Sequence, residues 1–167
     1  VAEDIAKDFS DHPLHIIGTG QSSDYPLHDR EDLTSIGAAR RSSQEAYQMA
    51  GVSPDDIDVA EVHDCFTIAE IVACEDLGFF KPGSGYRQAK LGVTTRDGAK
   101  PINPSGGLKA KGHPVGASGV GQTVEIFKQL RGIAGERQVN GDLRLGLTHN
   151  VGATGQTCVV HIYERKE

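Results

Sequence analysis

The sequence predicts a layered α/β fold in which helices pack on a mixed sheet, and three observations carry that prediction. Short apolar or alternating runs at residues 15–17, 57–62, 143–147 and 157–163 have the length of strands. Between most of them lie segments whose apolar residues recur at helical spacing. No stretch repeats another. Strands joined through helices pair in parallel, whereas the last two, separated by a glycine-containing turn, suit an antiparallel hairpin.

The elements follow in order. His15 to Ile17 forms a short apolar strand that ends at Gly18-Thr19-Gly20. From Leu33 to Ala50, the residues Ile36, Ala39, Ala46, Tyr47 and Ala50 fall on one helical face, with Asp32 or Thr34 as cap and Gly51 as stop. Ile57 to Val62 alternates like a strand. Phe66 to Leu77 is a helix apolar on most sides, which predicts burial, and Gly78 ends it. Lys81 to Lys100 is a long polar excursion, and loops of that length in compact domains are often functional. Ser118 to Leu130 is a third helix with Val120, Val124, Phe127 and Leu130 on one face. The residues alone therefore read β-α-β-α-loop-α-β-β.

Composition bounds the function. The chain has 167 residues, enough for one domain over 1–167 that buries roughly 70% of its unfolded surface. Its apolar share of 37% and charged share of 24% are those of a folded domain rather than a disordered one. No apolar run is long enough to span a bilayer, so no membrane partner is expected. A net charge of −6 opposes nucleic-acid binding, which needs a positive surface to displace counterions. Three cysteines without short spacing argue against a disulfide framework and for a reducing, cytoplasmic setting.

Chemistry concentrates in three segments at junctions between elements, where α/β sheets bind ligands. In Glu61-Val62-His63-Asp64-Cys65-Phe66, a thiol meets the positive end of a helix beside an imidazole, which favours thiolate. The plainer alternative is that Cys65 is a small core residue and His63 a turn histidine. Asn103 to Gly119 packs glycines around Gly112-His113-Pro114, a stiff loop suited to presenting an imidazole for acid/base work. The alternative is an ordinary loop with an idle histidine. In Thr148 to Gly155, around Asn150-Val151-Gly152, a glycine turn can aim N–H groups at an oxyanion or be merely a hairpin turn.

Other motifs fail. Gly18-Thr19-Gly20 and Gly119-Val120-Gly121 both lack the third glycine of a dinucleotide fingerprint. There is no phosphate-cradling Walker motif and no Gly-x-Ser-x-Gly elbow. His63, Cys65 and His113 lack the paired spacing of zinc ligands, so no metal is expected. Cys74, Cys158 and His161 read as structural, and Lys109 and Lys111 as a solvated loop.

In order and spacing, the three segments resemble one family. Gly106-Gly107 followed by Gly112-His113-Pro114 and Gly116-Ala117-Ser118-Gly119 resembles the histidine motif of thiolases. His63-Asp64-Cys65-Phe66 looks like the motif of the sterol-carrier-protein-2 type, where other thiolases carry Asn-Glu-Ala-Phe. Asn150-Val151-Gly152 stands where many thiolases have Cys-x-Gly. The resemblance implies a thiolase-like C-terminal domain with a β-α-β-α-β-α-β-β order and a mixed five-stranded sheet.

It also implies a function: forming or cleaving 3-oxoacyl-coenzyme A by Claisen condensation or thiolysis, with coenzyme A thioesters as substrates and no covalently bound cofactor. By resemblance, His113 activates a cysteine of the N-terminal half and helps bind the thioester oxygen. Cys65 moves the α-proton, and His63 replaces an asparagine that positions a water in the first oxyanion hole. The Gly152 N–H, beside Asn150, helps form the second. The half with the nucleophile is expected to be missing, since Val1-Ala2-Glu3 resembles the end of a strand of that half. The chain is thus read as a fragment, inactive alone, of a homo-oligomeric protein. Two alternatives stay open: a thiolase-like retro-aldol lyase, and a non-catalytic interaction module of the same fold.

Overall fold

A computed structural model describes residues 1–166. Strand β1 (Leu14–Ser23) is followed by helix α1 (Gly37–Ala50), strand β2 (Val59–Glu61) and helix α2 (Thr67–Asp76). Short helices α3 (Gly85–Lys90) and α4 (Gly107–Lys111) precede helix α5 (Ser118–Leu130), and strands β3 (Leu145–Gly152) and β4 (Thr157–Arg165) close the chain. Among the described residues, no helix is long and apolar enough to cross a membrane.

The sheet has the order β1-β4-β3-β2. β4 runs antiparallel to both β1 and β3, and β2 lies parallel to β3. Among the described residues four strands form, not the five that were expected. Where the fifth would lie, the chain makes a single parallel bridge, Ile102 to Ala60. Pro101 and Pro104 flank it without N–H groups, and Asn103 turns out of extended geometry with φ of 52°.

β1 is longer than its sequence suggests, because Gly18 and Gly20 lie within the strand rather than at its end. They lie under α1, where a Cβ on Gly18 would sit 2.3 Å from the Ala46 carbonyl oxygen and one on Gly20 2.0 Å from that of Ser42. Ser42 and Ala46 are one helical turn apart, so the two glycines form a groove that lets α1 seat directly on the sheet. One apolar core fills this side, with Ala46, Ile57, Leu77, Leu147, Val160 and Ile162 among its members. On the other face α5 packs through Ile126 and Leu130 against Val59 and Tyr163.

Two helices depart from their expected faces. In α2 only Ala73 and Cys74 are fully buried, and Ile68 stays 61% exposed. In α5 Leu130 is buried, but Val120 and Val124 point outward, 64% and 45% exposed. The inward face carries Gln122, Glu125 and Gln129 instead. These polar groups are satisfied internally: the Gln129 amide N–H donates to the Arg137 carbonyl, its oxygen accepts from Val139 N–H, and Glu125 pairs with Arg137. An apolar-only periodicity cannot see such a face.

The polar excursion also holds more structure than a loop. The Glu75 carboxylate accepts the Gly83 and Gly85 N–H groups, each at 2.7 Å, which fastens the start of α3 to α2. Lys100 donates to the carbonyls of Pro54 and Ile57, returning the chain to the sheet edge.

Candidate active site

The parallel strands β2 and β3 end side by side, and at their carboxyl ends opens a cavity of about 900 Å³. His63 and Cys65 enter it from the turn after β2, and His113 from the loop between α4 and α5. Asn150 and Gly152 come from the end of β3. All five residues singled out in the sequence line this one cavity.

His113 is held from behind. Ser118, on the first turn of α5, donates its hydroxyl proton to the Pro114 carbonyl at 3.1 Å, and its oxygen lies 2.6 Å from His113 Nδ1. That short bond occupies Nδ1 and leaves Nε2 as the ring nitrogen that can meet another partner. His113 meets His63 edge-to-face, with ring centroids 4.7 Å apart and planes at 82°. Burial first, then the neighbouring His113, pushes the His63 imidazole down to about 4, with Asp64 opposing. His63 is thus neutral at ordinary pH.

The turn and the loop are tied together by two buried carboxylates that the sequence reading passed over. Asp64 Oδ1 accepts the Leu108 N–H at 2.7 Å, capping α4 from outside its own segment. Gly107 is required there: its φ is 66°, and a Cβ would fall 2.2 Å from Asp64 Oδ2. Glu61, fully buried, accepts from the Ser105 N–H and hydroxyl and from Lys111 Nζ, the last at 2.7 Å. Burial pushes its carboxyl up, against the pull of Lys111 and Ser105. Lys111 keeps solvent contact, as expected from sequence, but is also an ion-pair partner of Glu61. Asn103 completes the brace, its Oδ1 accepting the Val62 N–H at 2.8 Å.

On the opposite wall, Gln122 of α5 bridges to β3. Its amide N–H donates to the His149 carbonyl, and its oxygen accepts from Asn150 Nδ2, both at 3.0 Å. The Asn150 side chain is thereby oriented with its Oδ1 uncommitted by this bond. Gly152 sits at the end of the strand, opposite Thr157 in β4.

His161, read as structural, lines the same cavity, with Nδ1 2.8 Å from the Thr19 hydroxyl. Cys74 and Cys158 are buried, and burial pushes both thiols up, Cys158 to about 11. Among the described residues, no group of three or more His, Cys, Asp or Glu side chains is placed to hold a metal ion.

Sequence reasoning gave no role to Ser118, Glu61, Asp64 and His149, although they lie in the singled-out segments, and missed Gln122 altogether. Only the spacing of Ser118 from His113 within one glycine-rich loop signals a partnership; Glu61 and Asp64 find partners more than forty residues away.

Comparison with known proteins adds the following. The family described as Thiolase C-terminal domain-like matches residues 19–165. An acetyl-CoA acetyltransferase of Methanothermobacter thermautotrophicus is 50% identical over 163 residues, covering 97% of this chain and 42% of that protein. Human sterol carrier protein 2 is 44% identical over 155 residues, covering 90% of this chain and 28% of that one. Among solved structures, the Ltp2-ChsH2(DUF35) aldolase aligns with a TM-score of 0.88 at 26% identity, over 99% of this chain and 43% of that chain. The chain thus spans less than half the length of each of these proteins.

Proposed function

The chain belongs to the thiolase C-terminal domain-like family, and on that premise we propose that it supplies the acid/base and oxyanion-binding groups of an acyltransferase acting on 3-oxoacyl-coenzyme A thioesters. The nucleophilic cysteine and the rest of the thioester site belong to an N-terminal half, with which this chain works as one enzyme.

The observation that carries this reading is the edge-to-face contact of His63 and His113 beside a cavity that Cys65 also lines. His113 Nε2, with Nδ1 tied to Ser118, is available to take the proton of the nucleophilic thiol. In thiolysis that thiolate attacks the 3-oxo carbon, the bond between the α and β carbons breaks, and the acyl group remains on the nucleophile. The departing acetyl-coenzyme A enolate takes its proton from the Cys65 thiol. Free coenzyme A then gives its thiol proton to the Cys65 thiolate and attacks the acyl-cysteine, whose sulfur departs as the shortened acyl-coenzyme A forms and takes back the proton held on His113. Condensation runs the same steps backwards. Charge on the thioester oxygen is met by N–H donors at the cavity wall, for which His63 and the Gly152 backbone are the candidates.

The test is thiolysis of acetoacetyl-coenzyme A. The full-length protein containing this chain turns it over, and the chain alone does not. Turnover by the purified chain refutes the division of labour, and a full-length protein without turnover refutes the reading.

A second reading has an observation behind it: the fold and 26% identity shared with an aldolase. There the same cavity would cleave a 3-hydroxyacyl thioester by retro-aldol chemistry, with no acyl-enzyme. Cleavage of a 3-hydroxyacyl-coenzyme A without thiolysis of the 3-oxo compound selects it.

A further inference from the structure

We infer that Asn103 and Glu70 are positioning residues that together staple the turn carrying His63, Asp64 and Cys65, and so hold the Cys65 thiol in place at the cavity. The inference rests on the reading above for what Cys65 does there, the transfer of an α-proton.

The turn leaves β2 by way of Val62 and passes into α2 after Phe66. Among the described residues, no backbone hydrogen bond joins residues 62–65 to α2. A side chain from elsewhere makes the connection. Asn103 Oδ1 accepts the Val62 N–H at 2.8 Å, and its Nδ2 donates to Glu70 Oε2 at 3.2 Å. Glu70 stands in the first turn of α2, where the helix end favours negative charge. One amide thus grips the turn on both sides of Cys65.

The chemistry of the pair admits one orientation. A backbone N–H can only donate, so the Asn103 oxygen faces Val62 and the amide nitrogen faces the carboxylate. Asn103 is 8% exposed and holds a left-handed φ of 52°, which asparagine adopts more readily than most side chains. Its own N–H donates to the Ala60 carbonyl at 2.8 Å, and its carbonyl accepts the Gly106 N–H at 2.9 Å. The gripping side chain is therefore anchored to the sheet on one side and to the approach to α4 on the other. Glu70 is partly buried. Burial pushes its carboxyl up, Asn103 opposes the rise, and the neighbouring Asp64 and Glu61 add to it. A further carboxylate in place of the Asn103 amide has no room for its charge.

The test uses the full-length protein and acetyl-coenzyme A in two assays. Uptake of deuterium from heavy water into the acetyl methyl group reads the step assigned to Cys65. Passage of label between acetyl-coenzyme A and free coenzyme A reads acyl transfer, which breaks no C–H bond. Asn103→Asp keeps an acceptor for the Val62 N–H but sets two carboxylate oxygens face to face, so the staple holds only while they share a proton. Deuterium uptake then falls about tenfold relative to label exchange as pH rises through the titration of the pair, a loss the parent lacks. Adding Glu70→Gln returns a donor to the same bond with its direction reversed, and restores uptake across the pH range. Equal losses in both assays overturn the inference. So does a parental pH profile in Asn103→Asp, or a double variant no better than Asn103→Asp. If Asn103→Asp does not fold, the double variant decides: parental uptake sustains the inference, and slow uptake or a misfolded chain overturns it. A parent that takes up no deuterium sinks the functional reading instead. Iodoacetamide labelling of Cys65, read by peptide mass, then tests the staple alone. Faster labelling in Asn103→Asp that returns to the parental rate in the double variant sustains it, and any other pattern overturns it.

Discussion

Asp64 Oδ1 accepts the Leu108 N–H at 2.7 Å, so a residue of the His63–Cys65 turn caps the helix that leads into the His113 loop. The bond spans 44 positions of sequence and joins the two segments that supply the imidazoles. Asp64→Ala leaves a buried amide unmet and is expected to cost about 1–3 kcal/mol of stability, by denaturant titration. It also frees the His113 loop, so kcat of the full-length protein falls more than the stability loss alone explains.

Lys111→Ala removes the cation opposite a fully buried Glu61. Breaking such a pair typically costs about 3 kcal/mol, toward the low end of the range because Lys111 is partly exposed. The loss depends on pH. Burial already raises the folded-state carboxyl of Glu61, so the folded form binds its proton more readily than the unfolded form. Stability from that proton is present below the ordinary carboxylate range and fades as pH rises through the folded value. Without Lys111 the folded value rises further. The variant is therefore closest to parental stability in acid and furthest from it at neutral pH, as paired denaturation curves would show.

Gly20→Ala places a Cβ about where the Ser42 carbonyl oxygen lies, 2.0 Å away. Backbone cannot yield as a side-chain tip does, so α1 must lift from the sheet. The expected loss is about 1–3 kcal/mol or more, read as a lowered midpoint in thermal unfolding.

In the full-length protein, His113→Ala and Cys65→Ala each lower kcat for thiolysis about 100-fold or more, as loss of an acid/base group does. Cys74→Ala, confined to the core under α2, changes activity little and stability modestly. Ser118→Ala sits between these, slowing turnover about tenfold by releasing His113 Nδ1. Parental rates in Cys65→Ala would remove the role assigned to it.

Two imidazoles set the acid limit of the fold. Burial holds His63 down to about 4 and His149 to about 3 in the folded state. Their unfolded forms titrate near the ordinary histidine value, so below it the unfolded chain binds more protons and stability falls as pH falls. Each contributes a slope of about 1.4 kcal/mol per pH unit between its unfolded and folded values. Raised carboxyls at Glu61, Glu70 and Asp76 work in the other direction. The difference between the parent and His149→Gln isolates the His149 share, and denaturation at a series of pH values measures it.

The positions of α1, α2, α5 and the final hairpin are legible in the sequence, because apolar periodicity and glycine stops report local structure, whereas the short α3 and α4 lie in stretches that read as loops. So is the meeting of His63, Cys65, His113, Asn150 and Gly152 at one rim, since all stand at junctions that open on the same end of the sheet. What periodicity cannot report is partnership across the chain. The inward face of α5 is polar because Gln122 and Gln129 find backbone partners on other segments. Gly18-Thr19-Gly20 reads as the end of a strand until α1 is seen resting on it. The expected fifth strand gives way to one bridge because prolines and a left-handed Asn103 interrupt it.

That one bridge has a consequence for how the molecule tolerates change. Ala60 donates its N–H to the Pro101 carbonyl and accepts the Asn103 N–H at its own carbonyl, so the chain departs from and returns to nearly the same point. The stretch that includes α2 and α3 is thereby a closed detour with a fixed clasp. Lengthening or shortening its outer bends leaves Glu61, Asp64 and Asn103 where they are. A new detour can recontour the approach to the cavity while the reacting groups keep their stations.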